Sequence, residues 1–296
     1  MKTVEILDVE IDNISQLELL NNLKFGGVVF TPNVDHIVKL QTDLAFRRAY
    51  RFATYRVCDS QILLWTSRLL NQPIREKIAG SDLFPAFYHH YKHDSSVKIF
   101  LLGSAPGVAE MARRNINAKV GREMVVGAHS PSFNFLEDAG ESEEIVRLIH
   151  QSGATVLAVG VGAPKQEKWL FQNRDKLAQI RVAFAVGATI DFEAGHTRRS
   201  PAWISHLGLE WMYRLVKEPK RLWKRYLVED LVFFRLLLSR KLFSRQPNRE
   251  RQGKSMGKHL EISRNVDVPG GNIQTGKDQP TAVSGQPKAR GLPSRQ

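Results

Sequence analysis

Apolar and polar positions in the first 195 residues alternate between two rhythms. Short apolar runs predict strands over Val4 to Ile11, Val28 to Thr31, Tyr55 to Asp59, Val97 to Leu102, Glu123 to Gly127, Thr155 to Gly160 and Val182 to Val186. Between them the apolar residues recur every three or four positions. This period predicts helices over Ile14 to Leu23, Asp35 to Arg51, Gln61 to Leu70, Asp82 to Tyr91, Val108 to Val120, Glu143 to His150 and Gln166 to Leu177. Strands alternating with helices predict an α/β fold, a Rossmann-like and mostly parallel sheet with helices on both faces. In such a sheet, ligands bind beyond the carboxyl ends of the strands.

After Gly195 the rhythm changes. The segment from Pro201 to Arg245 carries no strand pattern and predicts two or three helices, with Pro219 suited to a first helical turn. The last helix, from Leu222 to Phe243, is rich in Leu, Phe, Trp and Tyr and is flanked by Arg and Lys. Residues 246–296 shift to Gly, Pro, Ser, Gln and basic residues without aromatics, a composition that predicts a disordered tail. The expected organisation is an α/β core over 1–195, a helical basic appendage over 196–245 and a tail over 246–296.

Charge sharpens that division. The net charge is +13, and from Gly208 onward 19 Lys/Arg face 8 Asp/Glu, so +11 belongs to the C-terminal part and +2 to the rest. A basic region of this kind predicts an anionic partner. The run from Glu218 to Tyr226 interleaves cations with Trp223 and Tyr226, which suits an anionic bilayer, each cation near the surface contributing about 1 kcal/mol. Nucleic acid is the competing partner for the same residues. The apolar face beyond Arg225 favours a membrane surface or a partner subunit, and it suits a homo-oligomer.

Three predicted strand ends carry polar or glycine-rich sequence: Thr31-Pro32-Asn33, Cys58-Asp59-Ser60, and Gly160-Val161-Gly162-Ala163-Pro164-Lys165-Gln166-Glu167. Asp59 reads either as a general base or as a helix N-cap for the segment from Ser60. Asn33 reads either as a sugar ligand or as a cap. The Gly160 segment has neither the dinucleotide fingerprint nor the P-loop spacing and is compatible with a plain strand-to-helix turn.

Other classes are disfavoured. Ser104 lacks a nucleophile elbow, and the nine histidines show no paired metal-ligand spacing, so His89, His90 and His93 read as a solvated face. Cys58 is the single cysteine, which excludes an internal disulfide and fits a reducing compartment. The first residues do not read as a signal peptide, and no run is long and apolar enough for a spanning helix. No Asp-x-Asp stands at a strand end to hold a metal-bound diphosphate.

Taken in order, six segments resemble the bacterial WecG/TagA/CpsF glycosyltransferases, glycosyltransferase family 26, over residues 3–243. They are Thr31-Pro32-Asn33, the Asp59 strand end, Ala79-Gly80-Ser81-Asp82-Leu83, the Gly160 to Glu167 segment, Gly187-Ala188-Thr189-Ile190-Asp191-Phe192, and Gly208-Leu209-Glu210-Trp211-Met212-Tyr213-Arg214-Leu215. Two departures from the family's habit stand out: Lys77 stands where Arg is common, and Cys58 and Ser60 flank Asp59 in place of Pro and Gly.

The resemblance implies an inverting, metal-independent and cofactor-free transfer from a UDP-sugar to a polyprenyl-diphosphate-linked saccharide in surface polysaccharide synthesis. It implies Asp59 as catalytic base, and Thr31, Asn33 and Gln166 as polar ligands of the sugars. Asp191 and its glycine-rich approach are implied for the nucleotide site, Lys77, Gly160 and Gly162 as further substrate-binding positions with Lys77 at a phosphate, and Arg214, Arg221 and Arg225 for the diphosphate. The implied location is the cytoplasmic face of the membrane, held peripherally, with no nucleic-acid partner. The rival expectation is a non-catalytic protein that binds anionic lipid or nucleic acid through its basic C-terminal region.

Overall fold

The structure is a computed structural model that describes residues 2–197, 213, 215, 216 and 230–243. Its first apolar run, expected as one strand, is a hairpin: β1 (Thr3–Ile6) pairs antiparallel with β2 (Val9–Asp12). Leu7 and Asp8 form the turn at φ 51° and 61°, the left-handed pair that a two-residue hairpin requires. Neither is Gly or Asn, so no turn signal marked the break. Burial of Leu7 with Val4, Ile6, Val9 and Ile11 in one core cluster offsets the backbone cost.

Six strands form the main sheet: β3 (Gly27–Phe30), β4 (Tyr55–Arg56), β5 (Ile99–Gly103), β6 (Val125–His129), β7 (Val156–Gly160) and β8 (Val182–Ala185). Their order is β4-β3-β8-β7-β5-β6, and all five pairings are parallel. Every residue of β5, β7 and β8 is buried, as expected where both faces of a parallel sheet are covered. At the β4 edge the hairpin closes the sheet, and the Arg56 backbone N–H donates to Asp12 Oδ2 at 2.7 Å.

Ten described helices cover the sheet. One face carries α2 (Val34–Thr42), α3 (Leu44–Phe52), α4 (Gln61–Leu69), α7 (Ala139–Gln151), α8 (Lys165–Gln172) and α10 (Asp230–Phe243) with the hairpin. The other carries α1 (Gln16–Asn22), α5 (Gly80–His90), α6 (Val108–Val120) and the short α9 (Thr189–Glu193). The expected helix from Asp35 to Arg51 is two helices. Asp43 leaves helical geometry at ψ 96° and caps α3 by accepting from the Phe46 N–H, while the apolar period runs on through the break and concealed it.

The helices following β5 and β7 leave on opposite faces although the two strands are neighbours. Such a reversal is a topological switch point, and open α/β sheets take ligands in the crevice beyond the carboxyl ends of the strands there. In the C-terminal part, α10 packs against α2, and Phe233 is fully buried in the core cluster with Leu236 and Leu237 beside it. Leu231, Val232, Phe234 and Leu238 of the same helix are exposed. Among the described residues, no helix is long and apolar enough to cross a membrane. The remaining helices expected in 196–245, the tail over 246–296, and Arg214, Arg221 and Arg225 lie outside the described residues.

Candidate active site

Four adjacent strands, β4, β3, β8 and β7, deliver the polar segments to one edge of the sheet. Beyond the strands proper, β4 and β3 stay hydrogen-bonded: Val57 N–H donates to Phe30 O at 3.0 Å, and Asp59 N–H donates to Pro32 O at 2.9 Å. These bonds hold Asp59 beside the Thr31-Pro32-Asn33 segment. The helix cap that Asp59 could have supplied comes from Ser60, whose Oγ accepts from the Leu63 N–H at 3.3 Å. Asp59 is half-buried one residue ahead of that cap.

Thr31 is buried at the end of β3, and Asn33 caps α2 by accepting from the His36 N–H through Oδ1 at 3.1 Å. The cap reading of Asn33 therefore describes its oxygen. Lys77 is brought to the same corner because the next residue, Ile78, donates its N–H to Cys58 O at 2.7 Å. Gly80 then opens α5 against Thr31 and Val186: a Cβ at Gly80 would lie 3.4 Å from Thr31 Oγ1 and 3.7 Å from Val186 Cα. The Ala79 to Leu83 motif thus closes onto the ends of β3 and β8. Burial pushes the Cys58 thiol up to about 12, so it stays protonated, donating to Ser60 O.

The next two strand ends meet backbone to backbone. A Cβ on Gly160 would stand 2.5 Å from Gly187 O, and a Cβ on Gly103 would stand 2.5 Å from Gly160 O. No side chain fits at either place. Gly162, at φ 85°, turns the chain into α8, where its carbonyl accepts from the Gln166 N–H at 3.1 Å. The Ala163–Pro164 peptide is cis. Lys165 points away, donating to Phe133 O at 2.6 Å and lying over the Phe133 ring.

Gln166 is only 3% exposed. Its Oε1 accepts from the Gly187 N–H at 3.1 Å and its Nε2 donates to Glu167 Oε1 at 2.8 Å. In this conformation it braces the turn after β8. Asp191, three residues into α9, is partly exposed, and its carbonyl accepts from the N–H groups of His196 and Thr197. Glu193 anchors α9 from below through Tyr88 Oη at 3.0 Å and Lys119 Nζ at 2.6 Å.

The geometry therefore unites Asp59, Thr31, Asn33, Lys77, Gly160, Gly162, Gln166 and Asp191 around one carboxyl edge of the sheet. Among the described residues, no group of three or more His, Cys, Asp and Glu is placed to hold a metal ion. The sequence also matches the family described as "Glycosyl transferase WecG/TagA/CpsF family" over residues 4–247. The chain belongs to this family.

It is similar to proteins named N-acetylglucosaminyldiphosphoundecaprenol N-acetyl-beta-D-mannosaminyltransferase from Staphylococcus aureus strains MRSA252 and MW2. Each is 28% identical over 227 residues, covering 74% of this chain and 86% of the relative. As a WecG/TagA/CpsF member the protein is a glycosyltransferase, which sets aside the expectation of a non-catalytic binder.

Glu167 belongs to the site although the sequence reading assigned it no role. It is fully buried, and burial raises its carboxyl to about 7 against the opposing bond from Gln166. Nearby Tyr50 is held well above its ordinary range by burial and by the charges of Glu167, Asp35 and Asp59. In the sequence Glu167 closes the Gly160 to Glu167 segment of the resemblance, but as an acidic residue in a first helical turn it looks like one on many surface helices.

Proposed function

We propose that this enzyme transfers a hexose from a UDP-sugar to a polyprenyl-diphosphate-linked saccharide, with inversion and without a metal ion. The observation that supports the reading is the pairing of the β3 and β4 extensions, in which the Asp59 N–H donates to Pro32 O and so brings Asp59 alongside the Thr31-Pro32-Asn33 segment at the carboxyl ends of the strands. An inverting transfer needs one base to take the proton of the acceptor hydroxyl while UDP leaves from the opposite face of the sugar. Asp59 is suited to that role.

In this reading Thr31, Asn33 and Gln166 position the sugars, Gln166 through the turn it braces, while the Gly160 and Gly187 backbone and Asp191 take the nucleotide. Lys77 offers a point charge to a phosphate in place of a bidentate guanidinium. Arg214, Arg221 and Arg225 neutralise the charge developing on the leaving diphosphate. The names of the Staphylococcus relatives support N-acetylmannosamine as the donor sugar and undecaprenyl-diphosphate-linked N-acetylglucosamine as the acceptor. Its uronic acid and glucose are the other donors in this class.

The enzyme acts, in this proposal, at the cytoplasmic face of the membrane and contributes to a surface polysaccharide. The exposed apolar side of α10 and the basic surplus after Gly208 support docking on an anionic bilayer. A mass-spectrometric screen of UDP-sugars against a short-chain lipid-diphosphate N-acetylglucosamine acceptor, in EDTA, tests the reading. A product heavier by one N-acetylhexosamine supports it; no product from any UDP-sugar with or without added divalent metal removes it.

A further inference from the structure

A carboxylate that serves only the helix dipole of α8 would do so from the surface, without a desolvation cost. Glu167 instead stands in the first turn with its side chain fully buried, and its Oε2 has no hydrogen-bond partner among the described residues. Its other oxygen is engaged. Oε1 accepts from Gln166 Nε2 at 2.8 Å, and the oxygen of that same amide accepts from the Gly187 N–H at 3.1 Å.

We propose that Glu167 is a positioning residue for the transfer reaction, acting through the Gln166 amide to hold the strand-end turn at Gly187. An ionised carboxylate has acceptors and no donors. It therefore selects the one amide orientation that turns the NH2 group toward itself and the oxygen toward Gly187. The flipped amide would set oxygen against oxygen at Glu167 and N–H against N–H at Gly187. Because Gly187 O lies against Gly160, the orientation of one side chain fixes two strand ends.

The grip of this brace varies with protonation. Charge-assisted hydrogen bonds are about twice as strong as neutral ones, so Glu167 holds Gln166 more firmly when ionised. The groups facing it are Asp35 and Lys39 on α2, themselves paired at 2.8 Å, and Tyr50 on α3, whose hydroxyl meets His36 Nδ1 at 2.5 Å. Lys168 on α8 itself is paired with Asp43. Burial raises the Glu167 carboxyl to about 7, so the change falls in the neutral range.

The inference rests on the transferase reading for its kinetic arm only. The first arm needs no substrate: the Gly187 amide resonance and its hydrogen-exchange protection are followed from pH 6 to 8 in the full chain, in wild type, Glu167→Gln and Glu167→Leu. The wild-type resonance is expected to titrate with a midpoint near 7. In Glu167→Gln, which keeps an acceptor and the volume, the titration disappears while protection remains; in Glu167→Leu, protection falls roughly tenfold, as loss of a hydrogen bond to a charged group implies.

The second arm is the pH profile of transfer, in which Glu167→Gln loses an inflection near 7 in kcat and retains the wild-type KM. A Gly187 amide indifferent to pH in wild type, a Gln variant that keeps the titration, or a Leu variant with full protection overturns the inference. Each of these results can be obtained whether or not any UDP-sugar turns over, so failure of the proposed reaction is read separately.

Discussion

The backbone N–H of Asp59 donates to the carbonyl of Pro32 at 2.9 Å, and this one bond joins two loops from neighbouring strands. It sets Asp59 alongside the Thr31-Pro32-Asn33 segment. Ser60 supplies the α4 cap.

Asp59→Asn keeps the size and the backbone bond and removes the proposed base. Transfer is expected to fall by about 10²–10⁴-fold, the usual contribution of a positioned general base. Binding of UDP, measured by calorimetry, is expected to persist. Near-normal turnover would remove Asp59 from the chemistry.

Glycine substitutions at the crevice should separate two kinds of cost. In Gly160→Ala the new methyl meets the Gly187 carbonyl at 2.5 Å and Ile190 Cδ1 at 2.9 Å, so the backbone must shift, at a cost of about 1–3 kcal/mol. Gly162→Ala meets nothing within 4 Å but is held at φ 85°, costing about 1–2 kcal/mol in conformational strain. Gly162→Asn recovers part of that loss because Asn tolerates the left-handed region; Gly160→Asn does not. Urea unfolding of the four variants checks the pattern, and equal responses at both positions would contradict it.

The pH dependence of stability carries a signature of Glu167. Its folded carboxyl is raised from the ordinary 4.5 to about 7, so the folded chain holds the proton more tightly than the unfolded chain does. The associated stability is complete below about 4.5 and is lost as pH rises through 7, by about 3 kcal/mol in all. Glu167→Gln lacks this dependence. Unfolding free energies of the two proteins should diverge in favour of Gln between pH 4 and 8, and parallel curves would show that the site does not titrate there.

Cys58 is buried and its thiol is raised to about 12. The thiolate is the reactive form, so native protein at pH 8 should resist alkylation that proceeds readily in urea. Mass spectrometry of iodoacetamide-treated samples reads the difference. Rapid native labelling would place Cys58 at the surface.

The two sides of α10 should respond differently. Phe233→Ala empties a buried site against α2 and is expected to cost about 3–5 kcal/mol. Phe234→Ser and Leu238→Ser alter exposed positions and should leave the melting temperature within a degree or two while weakening sedimentation with anionic vesicles. Unchanged vesicle binding in the double variant would move the membrane contact elsewhere.

Much of this arrangement was legible in the sequence because it rests on period and punctuation. Buried parallel strands read as apolar runs, and the polar segments that follow them lie at the carboxyl ends of the strands, as expected. The order of the strands was not legible, since pairing is set by packing rather than by any local pattern. Leu7 and Asp8 hid a hairpin by making a left-handed turn without glycine, and Asp43 hid a helix break inside a continuous apolar stripe. Gln166 shows a different limit: residue type announces a polar contact, but only the fold shows that its amide serves Gly187 and Glu167.

Where Gly160 and Gly187 meet, the base of the crevice is made of main chain, which presents the same atoms whatever the sequence around it. Attempts to redirect the enzyme toward another sugar will gain little at Gly160, since a side chain there collides with the Gly187 carbonyl. Under the proposed reading, selectivity has to be engineered at the side chains assigned to substrate, Thr31, Asn33, Lys77 and Asp191, rather than at this main chain.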